Sequence, residues 1–472
     1  MKKVCRKMVL SIAIFFIALS AHASAENVYD MRGMLPPVRD QGDFSTCWSF
    51  AVTGAMESNL IKKGLAEKDI DLSEYYLSYY TFNDESQKLY SFRSAKNSGF
   101  DTEASDFMSS AILARGTGPV YEKDAPYPLK KAKAVKPQVT QKKFKLKSIL
   151  YLGEDASDVP LAGERISTIK SAIAKYGGAS AALCFPDGKD GGASAEDLLS
   201  SSFGYYTGFK LGDKGRGSVY RTANHDVLIV GWNDDFSRDK FGGKNGRAPK
   251  PSKNGAWIVR NSWGKDWGDK GYFYVPYEEG TMVNGIVYDV VPVVPDENIY
   301  QYDILGMAIF INGDDVALKS QGRTIPAWCA NIFTAERNEN VNSVALYTPR
   351  PDTECEVAIY TETAADSPAT GHLALTQKYV LGAPGFHSID LPTPVKVKNG
   401  ERFSVVMKLT AKGSEFPIPA EMRIAGDEDH AKSVSHPKES FISASGKYWT
   451  DLNFIDETAN VCIKAYCTPT GK

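Results

Sequence analysis

Over residues 47–64 the apolar positions fall at Cys47, Trp48, Ala51, Val52, Ala55, Met56 and Leu60, the spacing of a helix with one buried face. Thr46 suits the N-cap of that helix and Gly64 its C-terminal stop. Residues 71–115 read as mostly helical, with Leu72-Ser73-Glu74 opening an amphipathic run and a loop at Asn97-Ser98-Gly99-Phe100. Residues 116–129 are turn-rich. Residues 130–147 set eight lysines around alternating apolar positions, the pattern of a solvated strand or crossover linker rather than an anion site. A short helix over 166–176 is followed by Gly177-Gly178 and a strand over 179–185. Val227-Leu228-Ile229-Val230, within residues 223–232, is the unbroken apolar run of a buried strand. Residues 255–261 and 271–274 continue an antiparallel pattern. Two stretches lack any apolar period: 187–220, read as a long loop with little core, and 239–255, read as a solvated hairpin excursion.

Residues 292–298 carry prolines and acids without helical period and mark a boundary. Beyond them strand-like segments recur between turn residues, at 341–347, 355–360, 403–409 and 461–466, which predicts an all-β sandwich. At the other end, Lys2, Lys3, Arg6 and Lys7 precede an apolar run over 8–19, followed by Ala21-His22-Ala23 and Ala23-Ser24-Ala25. This is the pattern of a secretory signal peptide, cleaved after Ala23 or Ala25, and places the remainder in the periplasm, at the cell surface or outside the cell. No other run is long and apolar enough to span a membrane. The expected organisation is a leader over 1–25, a first domain over 26–295 and a β-sandwich over 296–472.

Composition narrows the partners. Of 472 residues, 43% are hydrophobic and 24% charged, the balance of a soluble globular chain with room for two or three cores. Removing the leader takes away four basic residues and no acid, so the net charge becomes 51 − 57 = −6, which argues against nucleic acid as a partner. Six cysteines remain, Cys47, Cys184, Cys329, Cys355, Cys462 and Cys467. The last four allow up to two disulfides, or equally burial as free thiols. No metal-ligand spacing, phosphate-binding glycine loop or dinucleotide fingerprint stands out, so no metal or cofactor is expected.

The candidate chemistry begins at Cys47. On the first turn of a helix a thiol feels the positive end of the dipole and unpaired backbone N–H groups, which should lower its pKa. Gln41, six residues earlier, can present its amide to an oxygen that turns negative as a carbonyl is attacked. A buried, inert cysteine beside a tryptophan fits residues 41–50 equally well. The histidines decide more. Of six, at 22, 225, 372, 387, 430 and 436, only His225 falls between residues 26 and 295. An imidazole that shares a proton with Cys47 in its own domain is therefore His225. Asn261, at the end of the following strand, can orient that ring.

Gln41-Gly42, Cys47-Trp48-Ser49-Phe50, Asn224-His225 with Val230-Gly231, and Asn261-Ser262-Trp263-Gly264 followed by Trp267-Gly268 and Gly271-Tyr272 together resemble the papain family of cysteine peptidases over roughly residues 28–290. The lead-in Tyr29-Asp30-Met31-Arg32 and Pro37-Val38-Arg39-Asp40 is similar to that family's mature N-terminus. The resemblance implies an α+β fold with a helical lobe, an antiparallel β-barrel-like lobe and a site in the cleft between them. It implies Cys47 as nucleophile, His225 as acid and base, Asn261 as orienting partner and Gln41 as oxyanion donor with the Cys47 backbone N–H. Trp263 would cover the His–Asn hydrogen bond, and Gly99 would bind substrate backbone. Ala182 and Asp226 would line the pocket for the second residue before the scissile bond. A carboxylate there should favour arginine or lysine, unless Asp226 turns to solvent or bonds a nearby loop. Residues 296–472 resemble the lectin-like β-sandwich appended to some microbial members, through Tyr300-Gln301-Tyr302-Asp303, Ala330-Asn331-Ile332-Phe333 and Phe386-His387-Ser388-Ile389-Asp390-Leu391. That names a fold, and sugar binding does not follow from it.

The departures are specific. Phe44 stands where the family usually has a disulfide cysteine, so packing must hold that loop. The Cys–His separation is 225 − 47 = 178 residues, against roughly 130–150 in the family. Residues 26–46 leave little room for the long propeptide usual in the family, so none is expected. Protein or peptide substrates follow from this resemblance, and a surface glycan or protein is a partner for the C-terminal domain. Two other functions fit the same residues: a surface- or carbohydrate-binding protein with an inactive peptidase-like part, and a thiol amidase or transacylase.

Overall fold

In the computed structural model, residues 15–17, 26–83, 100–104, 106–128, 134–139, 141–153, 160–188, 193–214, 221–313, 322–424 and 433–471 are described. The first half runs β1 (Phe15–Ile17), β2 (Val28–Asp30), α1 (Cys47–Lys62), α2 (Glu74–Phe82), α3 (Asp106–Ala114), β3 (Phe144–Tyr151), α4 (Arg165–Tyr176), β4 (Ala179–Leu183), α5 (Ala195–Leu198), β5 (His225–Asn233), β6 (Ala256–Arg260), β7 (Tyr272–Pro276) and β8 (Val283–Pro292). The second half is strands: β9 (Asn298–Tyr300), β10 (Ile309–Ile311), β11 (Ala327–Thr334), β12 (Glu339–Thr348), β13 (Thr353–Thr361), β14 (His372–Leu381), β15 (Gly385–Val397), β16 (Arg402–Thr410), β17 (Ile418–Glu421), β18 (Ser440–Ser443), β19 (Thr450–Asp451), β20 (Asn460–Val461) and β21 (Lys464–Pro469).

α1 is the axle of the first part. Its sequence pattern suggests one buried face, yet nearly every residue from Cys47 to Leu60 is buried. Helices α2 and α3 pack on it from one lobe and strands β5 and β8 from the other. Small residues on α1 allow that close approach. At Gly177 (φ +107°) a Cβ would lie 2.7 Å from the Ser58 backbone, so only glycine fits the turn between α4 and β4. The helix ends as expected, with Gly64 left-handed at φ +67° and Leu65 N–H bonded to Leu60 O at 2.9 Å. Its start differs from expectation. Thr46 occupies the N-cap position but makes no capping bond, because its hydroxyl is engaged with Tyr127 Oη at 2.6 Å. Ser73 does cap α2, accepting from Tyr76 N–H at 2.9 Å.

The main sheet runs β7-β6-β5-β4-β8-β3-β15-β12-β21-β9, with β2 paired to β5. β3 corrects the sequence expectation of a solvated strand or linker. It is an interior strand between β8 and β15, with Phe144, Leu146, Ile149 and Leu150 buried. Its lysines sit on the alternate positions and find carboxylates, Lys145 with Glu297 and Lys147 with Asp390. The hydrogen-bonded sheet therefore does not stop at residues 292–298. One hydrophobic core takes in Trp48, Val52 and Met56 of α1, Ile149 of β3, and Tyr347, Phe386 and Tyr466 of the C-terminal strands.

A second sheet, β1-β14-β13-β16-β11-β18-β19, faces the C-terminal part of the first across a core that includes Val344, Leu346, Val357, Ile389 and Val405. The single strand expected over 461–466 is broken. Cys462 N–H bonds Pro419 O at 2.9 Å, so β20 pairs with β17 while β21 joins β12. All six described cysteines are free and buried. The leader expected over 1–25 lies outside the described residues apart from β1, whose backbone runs parallel to β14. No described helix is long and apolar enough to cross a membrane.

The two stretches read as loops carry core after all. In 187–220, Ala195, Leu198, Tyr205 and Thr207 are buried, and Ser194 closes a capping box on α5. In 239–255, Phe241 is buried and Lys244 N–H bonds Asp197 O at 3.0 Å. Each stretch supplies the other's apolar cover, a pairing that neither segment's own period can reveal.

Candidate active site

The site is assembled from four places in the chain. Residues 39–41 lie antiparallel to 262–264. Gln41 N–H bonds Ser262 O at 2.8 Å, and Gly264 N–H bonds Arg39 O at 3.0 Å. The Gln41 side chain is then fixed at both ends. Its Oε1 accepts from Ser262 Oγ at 2.6 Å and its Nε2 donates to Phe44 O at 2.7 Å. A carboxamide nitrogen has two hydrogens, so one donor remains. Phe44 is buried against Phe100 at 5.0 Å and edge-on to Tyr127 at 5.8 Å. Packing of aromatic rings thus holds this loop, as the lack of a cysteine at position 44 requires.

Cys47 opens α1, and His225 opens β5, the strand packed on it. Asn261 follows β6, the neighbour of β5. Asn261 Oδ1 accepts from Ser262 N–H at 2.8 Å and bonds His225 Nε2 at 2.8 Å. An oxygen on that contact requires the proton on Nε2 and leaves Nδ1 as the basic nitrogen. Trp263 and Phe185 pack on the imidazole with ring centres 4.9 and 4.7 Å away, and meet each other edge to face. The thiol itself donates to Asp226 Oδ2 at 3.7 Å. In this structure the sulfur is bonded to the residue after the histidine, and the histidine to Asn261.

Electrostatics follow from burial. The His225 pKa is pushed down to about 4 by desolvation, against the pull of its bond to Asn261. The Cys47 thiol is pushed up, first by burial and then by the Asp226 carboxylate. This overturns the expectation of a thiol made more acidic by its helix position. The Trp48 backbone N–H does act in the expected direction, but less strongly than burial and the neighbouring carboxylate. Burial thus opposes the charged form of both groups.

Gln41, Cys47, Asp226, His225, Asn261 and Trp263 are thus brought together. Ala182 is the direct cross-strand partner of Asp226 in the β4–β5 register. Gly99 lies outside the described residues. Asp226 is half-buried, and its Oδ2 accepts from the Cys47 thiol.

Sequence reasoning passed over several residues. Ser262 holds Gln41, and Phe185 flanks the imidazole, itself stacked on buried Tyr205 at 4.6 Å. Behind the site, Arg39 bonds Glu57 and Glu74 at 2.5 Å each, and Arg260 lies 3.9 Å from Glu57. These residues and Asp226 line a cavity of about 20 Å³, room for one water molecule. Glu57 was the available signal, a charge within an otherwise apolar and small-residue helix. Nothing in the spacing points to Arg39, whose partners lie 18 and 35 residues away.

Comparison with known proteins agrees with this architecture. The profile of the papain family cysteine proteases matches residues 25–290, and that of the lectin-like domain matches 299–467. Cathepsin K of Gallus gallus is 27% identical over 260 residues, covering 54% of this chain and 59% of its own. A cathepsin L-like peptidase of Aedes aegypti is 28% identical over 247 residues, covering 51% and 55%. The chain thus spans little more than half the length of these curated relatives. Among solved structures, the cysteine protease and lectin-like domains of Cwp84, a surface layer associated protein of Clostridium difficile, superpose with a TM-score of 0.72 at 22% identity, over 94% of this chain and 89% of that one. A clostridial Cwp84 structure after propeptide cleavage gives 0.73 at 22% identity, over 94% and 99%. At that identity the likeness shows the fold. With its first profile matched over more than half its length, the chain belongs to the papain family of cysteine proteases, its papain-like part followed by a lectin-like domain.

Proposed function

We propose that the chain is an exported cysteine peptidase that hydrolyses peptide bonds in protein or peptide substrates through an acyl-enzyme. The observation that carries this is the convergence of Cys47, the His225–Asn261 hydrogen bond and the anchored Gln41 amide on one buried spot between the lobes. In this reading the Cys47 proton passes to His225 Nδ1, and the sulfur attacks the substrate carbonyl carbon. The carbonyl oxygen, now negative, is received by the second Gln41 Nε2 hydrogen and the Cys47 backbone N–H. The imidazolium then protonates the leaving amine, and a water deprotonated by the neutral ring releases the acid. Asn261 keeps the ring in the tautomer this requires, and Trp263 and Phe185 restrict its tilt.

Gly99, Ala182 and Asp226 are assigned to substrate binding, with Asp226 favouring arginine or lysine two residues before the scissile bond. Export rests on the leader pattern. A surface glycan or protein is assigned to the C-terminal domain as its partner.

The test is covalent labelling by a thiol-directed peptidyl epoxide. One equivalent should add to the wild-type chain and none to Cys47→Ala, with protein cleavage lost in the same variant. A wild-type chain that takes no label and cuts no protein would return the reading of a binding protein with an inactive peptidase-like part.

A further inference from the structure

The segment 41–47 carries both donors for the substrate oxygen, and no covalent tie closes it, since every described cysteine is free. What crosses it is a tyrosine 81 residues beyond Thr46. Tyr127 sets its ring edge-on to Phe50 of α1 at 4.9 Å and to Phe44 at 5.8 Å, between the helix and the loop that leads into it. Its hydroxyl meets Thr46 Oγ1 at 2.6 Å and donates to Gln41 O at 3.1 Å. A carbonyl only accepts, so the one phenol proton goes to Gln41 O, and the Thr46 hydroxyl donates to Tyr127 Oη. Burial pushes the phenol pKa further up, so that proton stays in place. The relay joins Gln41, whose side chain supplies one oxyanion donor, to Thr46, whose peptide bond carries the other, the Cys47 N–H. Other bonds hold points within the loop. Ser45 N–H donates to Asp101 Oδ1 at 2.7 Å, and Gln41 Nε2 to Phe44 O at 2.7 Å. Neither of these joins the two residues that present the donors.

We propose that Tyr127 is a positioning residue for the oxyanion site: its hydroxyl ties Gln41 to Thr46 and so sets the spacing of the two donors. The proposal rests on the peptidase reading of the same site and names what holds that site in shape. In this role the phenol acts through Gln41 and Thr46 and not on the reacting atoms. Donors fixed beforehand stabilise the developing charge without reorganising, whereas a slack pair must be gathered as the charge forms. The negative oxygen exists only after attack on the carbonyl. Loss of the tie should therefore lower kcat and leave KM in place.

The full chain is tested with a fluorogenic dipeptide amide and with iodoacetamide, whose displacement at a saturated carbon forms no oxyanion. Tyr127→Phe keeps the ring and removes the relay. It should lower kcat about tenfold, within what a small misplacement of catalytic groups costs, with KM and the rate of Cys47 alkylation unchanged. Thr46→Val removes the other hydroxyl and should reproduce that split. Thr46→Ser keeps the hydroxyl and should retain the wild-type kcat. A tyrosine that only supports the fold would depress alkylation together with kcat, or change neither. Equal losses in kcat and alkylation, or a wild-type kcat in Tyr127→Phe, would overturn the proposal and leave the peptidase reading standing. Should Tyr127→Phe not fold, equal kcat in Thr46→Val and Thr46→Ser would overturn it in the same way. A wild type that takes no epoxide label would instead remove the peptidase reading, and the tie with it.

Discussion

His225 works as a base only while its ring is uncharged, and its surroundings set the pH at which that holds. Burial disfavours the imidazolium, so the ring stays proton-free down to about pH 4 instead of 6.5. Lowering the pH through 4 charges it while Cys47 is still a thiol, and the proton acceptor is lost. The acid limb of kcat/KM should therefore have its midpoint near pH 4, read with an uncharged substrate so that Asp226 pairing does not enter. A midpoint near 6.5 would mean that the working enzyme exposes the ring. At this scale the sequence was legible where a residue's chemistry is rare: one histidine in 26–295, and a cysteine at a helix start. The thiol's partner was not legible. A two-residue period puts His225 and Asp226 on opposite faces of β5, and only the packing of α1 shows that the Asp226 face meets the sulfur.

Helix α1 shows what an element costs when it is buried on every side. Glu57 is 1% exposed, and its charge is tolerable because Arg39 and Arg260 reach it from two other segments. Removing Arg39 leaves Glu57 with the longer contact to Arg260 at 3.9 Å and takes from Glu74 its contact with Arg39. Arg39→Met should destabilise the fold by about 3–5 kcal/mol in urea denaturation, and Arg39→Met with Glu57→Gln should recover part of that loss. An Arg39→Met chain as stable as the wild type would show that the carboxylates find other partners. Helix positions, the buried strand β5 and the stop at Gly64 followed from local period and glycine. Loops 187–220 and 239–255 did not, because a segment that buries its few apolar residues against another irregular segment has no period to display. The break between β20 and β21 is similar. Residues 461–466 have the composition of one strand, and the bond from Cys462 to β17 divides them between two sheets.

The whole molecule is joined by hydrogen bonds across what the chain's texture marks as a boundary. β3 belongs to the first part in sequence, and its far edge pairs with β15. The prolines and acids of 292–298 mark a change of texture between β8 and β9 but say nothing of where β3 finds its second neighbour. Sequence separation hid that junction, since residues 148–150 meet 385–387. Both parts should unfold in one calorimetric transition, because the core containing Trp48 and Ile149 also contains Tyr347 and Phe386. Gly385 (φ +132°) is the sensitive point. A Cβ there would lie 2.0 Å from Ile149 O, so Gly385→Val should open the seam and split the single transition into two at lower temperatures. Two transitions already present in the wild type would show that the seam carries little energy. Most paired domains swing on their linkers; a backbone ladder gives no such freedom. On the proposed reading, a partner held by the C-terminal sandwich would therefore fix the bearing and reach of the cleft along with it.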